Sequence, residues 1–226
     1  MYQEIAISMR AGGGNARDVL QSMCDSGVQR VQLDALHQDF AELSNSGWRD
    51  LASTLRRLGL RASGIDFLVP PSWWEEQPER TLQAFANAVA MSEAIGNVPI
   101  GTRFDETNEA AESAIAAGQQ AGVLLSRHGT IPPEDPQVGW HLPLALLAKE
   151  QRPMKTLVEA PQGPMAIRLR GAIVGDSTLE FEGNQVELRE LRGVLDAMRW
   201  NPTPILDCAA DEASDLCSAW QVAGPW

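Results

Sequence analysis

The sequence has few cysteines, no long apolar run and no cluster of basic residues. Its 226 residues include only Cys24, Cys208 and Cys217, an odd number without paired spacing, so we expect free thiols in a reducing compartment rather than a disulfide scaffold. No apolar window is long enough to span a membrane. The start, MYQEIAISMR, lacks the basic and apolar segments of a signal peptide. We therefore expect a cytoplasmic protein.

Basic charge is also scarce, because 30 acidic residues stand against 18 basic ones and the formal net charge is −12. A nucleic-acid partner requires a basic face that replaces counterions, and a membrane-surface helix requires a basic polar face. Neither is present, so we expect no nucleic-acid partner and no membrane partner. Hydrophobic residues make up 44% of the chain, which is ordinary for a globular protein with a sizeable core.

A short apolar run followed by a helical stretch repeats along the chain, and Pro and Gly mark many of the boundaries. The predicted strands are 4–10, 28–35, 60–69, 97–104, 123–129, 138–144, 165–171 and 203–209. The predicted helical segments are 15–27, 46–59, 78–96, 106–122, 144–160, 185–200 and 211–220. Eight strands, mostly separated by helices, favour an α/β fold, a single closed (β/α)8 TIM barrel over residues 1–226. The alternative is a doubly wound sheet, but no G-x-G-x-x-G turn follows the first strand.

This order of elements, with the local segments GVQRVQLDA, AAGQQAGVLLSRHG and MAIRLRG, resembles the xylose-isomerase-like barrels. That group contains sugar isomerases and epimerases and shares its fold with endonuclease IV. The resemblance implies a divalent metal at the top of the barrel, held by side chains from strands five to eight.

The positions that correspond to those metal ligands do not keep the group's pattern. The fifth strand, which usually ends Glu-Asn-His, ends here in Ser126, Arg127 and His128. Pro143 and Leu144 stand where an acidic residue is usual in the sixth strand, Arg168 aligns with a usual His, and Asp207 with a usual Glu. One carboxylate in four ligand positions predicts a degenerate site with no metal and no other cofactor.

Strand alternation predicts which side chains face the barrel interior. In AIRLRG the apolar Ile167 and Leu169 suit the helix layer, so Arg168 and Arg170 are expected to point inward. The charged residues predicted at the mouth are Asp34, Asp66 and Asp207 against Arg103, Arg168 and Arg170. Because buried charges must be paired, this set either fills the barrel with ion pairs or holds a ligand.

His128 and Asp207 are the catalytic candidates. His128 suits a general base, although a hydrogen-bonded residue at the rim is the alternative. Trp73 and Trp74, in the polar loop PPSWWEEQPER, are predicted to stand clear of the core. They would either cover a sugar-like ligand as a lid or bury a subunit interface.

Two functions are consistent with these residues. One is a metal-independent sugar or polyol isomerase or epimerase relative, in which His128 is the acid/base and the arginines hold an anionic group. The other is a non-catalytic barrel that binds a small ligand or a protein partner. An open mouth with an unpaired His128 favours the enzyme, whereas a mouth filled by Arg–Asp pairs favours the second. The oligomeric state is left open.

Overall fold

Eight parallel strands close into a barrel in the computed structural model, which describes residues 5–41, 43–104, 108–150 and 152–224. They are β1 Ala6–Ser8, β2 Arg30–Asp34, β3 Arg61–Phe67, β4 Ile100–Thr102, β5 Leu125–His128, β6 Gly139–Pro143, β7 Ala166–Leu169 and β11 Thr203–Leu206. Each strand pairs in parallel with its neighbours, and β11 pairs with both β1 and β7, which closes the ring. The predicted (β/α)8 barrel is confirmed.

Helices follow most of the strands and cover the outside of the barrel. They are α1 Ala16–Asp25, α2 Asn45–Arg57, α3 Trp73–Glu76, α4 Pro78–Ile95, α5 Glu109–Gln120, α6 Leu144–Leu147, α7 Pro153–Val158, α8 Leu188–Ala197 and α9 Ala213–Val222. Residues 4, 106, 107 and 151 of the predicted elements lie outside the described residues. Among the described residues, none of these helices has the length and apolar composition needed to cross a membrane.

A small antiparallel sheet lies between β7 and α8. It consists of β8 Ala172–Val174, β9 Thr178–Phe181 and β10 Asn184–Glu187, with β9 in the middle. The sequence pattern did not predict it, and the helix predicted from residue 185 is wrong for 185–187. The carboxylate of Glu187 accepts hydrogen bonds from the hydroxyls of Ser177 and Thr178 and from the backbone N–H of Arg189. Glu187 is therefore both the last residue of the small sheet and the N-cap of α8.

The segment after β3 contributes an aromatic cluster to the core. The rings of Phe67, Phe85 and Phe104 surround Trp74 with centroids 6.0–6.2 Å from it, and Trp74 is only 1% exposed. The prediction that both tryptophans stand clear of the core is thus wrong for Trp74. The residue lies on the short helix α3, which directs the indole inward, where its N–H donates to the carbonyl of Arg103 at 2.7 Å.

Trp73 occupies a different environment from its neighbour. It is half-buried against the core, and the guanidinium of Arg80 on α4 lies 5.9 Å from its ring centroid. Part of the Trp73 ring therefore stays in contact with solvent, while Trp74 is a core residue.

This difference predicts unequal effects of truncating the two tryptophans. Trp74→Ala removes a fully buried ring and its hydrogen bond, so we expect it to lower the free energy of unfolding by about 3–5 kcal/mol. The matched change Trp73→Ala is expected to lower the free energy of unfolding by clearly less. Urea denaturation followed by circular dichroism measures both, and equal losses would contradict the assignment of Trp74 to the core.

Candidate site at the barrel mouth

An ion pair between Arg168 and Asp66 joins opposite walls of the barrel. Arg168 lies on β7 and Asp66 on β3, four strands apart in the ring of eight. One guanidinium nitrogen, Nη1, lies 2.7 Å from both carboxylate oxygens of Asp66. The other, Nη2, donates to the Ser8 hydroxyl at 2.9 Å and lies 3.2 Å from Asp207. The Arg168 side chain is 5% exposed and that of Asp66 is completely buried.

The neighbours of these two residues explain why both reach the interior. Ile167 and Leu169 are fully buried on the opposite face of β7, so alternation directs Arg168 inward. Asp66 also accepts a hydrogen bond from Gln32 on β2 at 3.0 Å. Burial opposes the charged form of Arg168, but the carboxylates of Asp66 and Asp207 outweigh it and raise the pKa of the guanidinium. The structure thus brings Asp66, Arg168 and Asp207 together.

Arg170 does not join this cluster, so the prediction that it points into the barrel is wrong. Strand β7 ends at Leu169, and the chain then turns into the antiparallel sheet, with Gly171 at a φ of 135°. Alternation no longer applies beyond the end of the strand. Arg170 is exposed, and its guanidinium lies 5.2 Å from the ring centroid of Phe181 on β9.

Two histidines on adjacent strands form a buried pair beside the ion pair. Nδ1 of His141 on β6 lies 2.8 Å from Nε2 of His128 on β5. Gly101 on β4 makes room for them, because a Cβ atom there would be 2.5 Å from Nε2 of His128 and 2.9 Å from Nδ1 of His141. The other ring nitrogen of His128, Nδ1, is buried and has no hydrogen-bond partner among the described residues.

Both imidazoles are held in the neutral form. Burial lowers the pKa of His141 from the usual 6.5 to about 4. Burial, together with the nearby His141 and Arg168, lowers the pKa of His128 well below its usual value. A neutral imidazole has one nitrogen that accepts a proton and one that donates a hydrogen bond. The structure therefore presents His128 in the form a general base requires, although its side chain is only slightly accessible.

The rim above these groups carries charges that are more accessible. Asp34, at the end of β2, is 15% exposed and lies 3.7 Å from Arg10, whose side chain is 34% exposed. Burial raises the pKa of Asp34, even though Arg10 opposes the shift. Arg103 follows β4 and is exposed. Its position directly after Thr102, the last residue of β4, places it at the same mouth, where burial of part of its side chain and the positive charges of Arg10 and Arg168 lower the pKa of Arg103.

Sequence reasoning did not select three residues that the structure places in this region. Ser8 and Gln32 bond the Arg168–Asp66 pair, and Arg10 pairs with Asp34 at the rim. Alternation along β1 and β2 was the signal for Ser8 and Gln32. Arg10 lies in the 3-10 turn Met9–Ala11 after β1, where alternation gives no direction.

Known proteins resemble this chain in structure but not detectably in sequence, since no family model and no curated protein matches it. A structure of L-ribulose 3-epimerase superposes with a TM-score of 0.72 at 11% identity, covering 98% of this chain and 96% of that one. A xylose isomerase domain protein from Planctomyces limnophilus superposes with a TM-score of 0.71 at 13% identity, covering 98% of this chain and 96% of that one. A sugar phosphate isomerase/epimerase from Parabacteroides distasonis superposes with a TM-score of 0.68 at 12% identity, covering 99% of this chain and 94% of that one.

The fold is that of the xylose isomerase-like barrels. At such low identity the likeness shows the fold alone, and the resemblance stated from the sequence is confirmed at that level.

The residues at the mouth of this xylose isomerase-like barrel do not fit the divalent metal that its fold implies. A guanidinium offers no lone pair to a cation, and Arg168 contacts both Asp66 and Asp207. Among the described residues, no group of three His, Cys, Asp or Glu side chains is arranged to hold a metal ion. The group that contacts these carboxylates is therefore the chain's own arginine.

The buried ion pair predicts a large loss of stability when Arg168 is removed. Arg168→Ala leaves the buried carboxylate of Asp66 without its cation, and breaking such a pair typically costs about 3–5 kcal/mol. Arg170→Ala removes the same side chain from an exposed position two residues away and is expected to change the free energy of unfolding little. Urea denaturation measures both, and an unchanged transition for Arg168→Ala would show that the pair is not formed.

The neutral histidine pair predicts that acid destabilises the protein before its carboxylates titrate. Each histidine has a lower pKa in the folded than in the unfolded chain, so the unfolded chain binds more protons as the pH falls through about 6.5. Stability is therefore complete above that pH and declines below it, by about 1.4 kcal/mol per histidine between pH 7.5 and 5.5.

Urea denaturation at the two pH values measures this decline, and the variant His141→Gln serves as the comparison. The variant retains one buried histidine, so its decline is expected to be about half as large. An identical decline in both proteins would show that His141 does not carry the effect.

Proposed function

We propose that this chain binds a small sugar or polyol at the mouth of its barrel, and that it does so without a divalent metal ion. The observation that carries the proposal is the Arg168–Asp66–Asp207 cluster, which places a fixed positive charge among polar groups at the carboxyl ends of the strands. That end is where barrels of this type build their ligand sites. Arg168 supplies positive charge there without any bound cation.

The accessible groups around the cluster suit hydroxyl groups. Asp207 keeps 20% of its side chain exposed, and the Asp34–Arg10 pair lies at the rim. Carboxylates accept hydrogen bonds and guanidinium groups donate them. The hydroxyl groups of a polyol can do both, so they can bond either kind of side chain. Trp73 remains the lid candidate, because part of its ring is accessible and sugars stack on aromatic faces.

A second candidate function is proton transfer of the kind that isomerases and epimerases catalyse. The observation that favours it is the neutral state of His128, with a buried Nδ1 that has no partner among the described residues. In this version His128 moves the proton, and Asp207 contacts the substrate. The internal pairing of Arg168 and the contact between His128 and His141 favour the opposite version, a non-catalytic barrel that binds its ligand unchanged.

One experiment tests binding and metal dependence together. Isothermal titration calorimetry with a panel of pentoses, hexoses and polyols is expected to give a saturable ligand whose affinity is the same before and after treatment with EDTA. Elemental analysis of the untagged protein is expected to give far less than one equivalent of zinc, manganese, cobalt or magnesium. One equivalent that is lost in Asp207→Ala would overturn the metal-free proposal.

The same ligand then separates catalysis from binding. Incubation in deuterium oxide, followed by NMR, shows whether the protein exchanges a carbon-bound hydrogen of the sugar. Exchange that disappears in His128→Asn, while binding persists, supports the isomerase or epimerase version. Binding without exchange in the unmodified protein supports the non-catalytic version.

A further inference from the structure

Arg103 is a cation at the mouth whose side chain is not bonded to any of the described residues. Its guanidinium has no hydrogen-bond or ion-pair partner among the described residues, although it lies close enough to Asp66 and Asp207 to interact with them at a distance. The acids that the structure describes at this mouth already have partners, since Arg168 contacts Asp66 and Asp207 and Arg10 contacts Asp34.

The backbone of Arg103 is held firmly even though its side chain is not bonded. Its carbonyl accepts the indole N–H of Trp74 at 2.7 Å, and Trp74 is fixed in the aromatic cluster with Phe67, Phe85 and Phe104. The next residue in the chain, Phe104, belongs to that same cluster. Because this backbone is already fixed, only the side chain of Arg103 has to be ordered when a ligand binds, and its guanidinium has no partner among the described residues to give up.

Arg10 provides a second positive charge near Arg103. Its contact with Asp34 is a loose 3.7 Å, and a third of its side chain is exposed. Burial of part of its side chain, and after it the positive charge of Arg10, lower the pKa of Arg103, so the two guanidinium groups repel each other. An anion that lies between them would replace this repulsion by two attractions, and charge-assisted hydrogen bonds are among the strongest that side chains form.

We propose that Arg103 and Arg10 bind an anionic group, a carboxylate or a phosphate, of the ligand at the barrel mouth. The inference rests on the proposed function for the sugar part of that ligand and narrows it to an acidic or phosphorylated polyol. Arg168 is not the residue that recognises this anion, because Asp66, Ser8 and Asp207 occupy its donors and its side chain is buried.

Calorimetry with matched six-carbon probes tests the inference. D-glucitol is neutral, D-gluconate carries a carboxylate and D-glucitol 6-phosphate carries a phosphate, and inorganic phosphate serves as the bare anion. We expect at least one charged probe to bind about tenfold or more tightly than D-glucitol. Arg103→Gln is expected to remove that advantage while D-glucitol binding stays unchanged, and Arg10→Gln to reduce it. Comparison of gluconate with glucitol 6-phosphate tells the two anion types apart.

Arg57→Gln is the matched control, because it removes one exposed arginine near the end of α2, outside the mouth. Its affinities are expected to equal those of the unmodified protein. All variants are compared by their melting temperatures, and since Arg103 and Arg57 are exposed, neither change is expected to unfold the protein.

The outcomes separate this inference from the proposed function. If D-glucitol binds as tightly as both charged probes, or if the advantage persists in both Arg103→Gln and Arg10→Gln, the anion site is wrong and polyol binding stands. If the charged probes and inorganic phosphate bind in an Arg103-dependent way but D-glucitol does not bind, the anion site stands and the polyol proposal fails. If no probe binds, the anion site is wrong as well.

Discussion

The contact between Arg168 and Asp66 constrains the centre of this molecule more than any other. It crosses the barrel from β7 to β3, and both side chains are almost completely removed from water. A buried charge is tolerated only when it is paired and hydrogen-bonded. The surrounding polar residues meet that condition, since Ser8, Gln32 and Asp207 supply the remaining contacts. The polar interior of the barrel is therefore organised around one guanidinium.

The glycines of neighbouring strands show how tightly this interior is filled. A Cβ at Gly101 would collide with the histidine pair, and a Cβ at Gly64 on β3 would lie 2.8 Å from the side chain of Gln32. Because glycine has no Cβ atom, each of these positions leaves room for a larger polar group from an adjacent strand. The charges of Arg168 and Asp66 act on the histidines, so a change at one position is expected to disturb the others.

The mouth thus has two zones with different roles. Below lies the buried zone of paired groups, in which Arg168 contacts the carboxylates of Asp66 and Asp207. Above lies the rim, where Arg10, Arg103, Asp34 and part of Asp207 meet solvent. The buried zone accounts for stability and for the proposed independence from metal. The rim is the zone in which a ligand has groups left to contact. Arg103, whose side chain has no partner among the described residues, is the reason to expect a negative charge on that ligand.

The sequence by itself determined the barrel and the direction of several side chains within it. Alternation along a strand is a local property, so it placed Arg168 inside the barrel, where the structure finds it. The element order was sufficient to indicate the xylose isomerase-like fold, because each strand and helix unit carries its own apolar pattern.

Only the tertiary structure decided which of these side chains meet. Asp66 is 102 residues away from Arg168, and their contact depends on ring closure and strand register, which no local pattern encodes. The burial of Trp74 and the outward position of Arg170 were decided where regular strands stop, at the turn into α3 and at the sheet after β7. Beyond a strand end the two-residue period is lost, and the packing of distant elements alone sets the direction of a side chain.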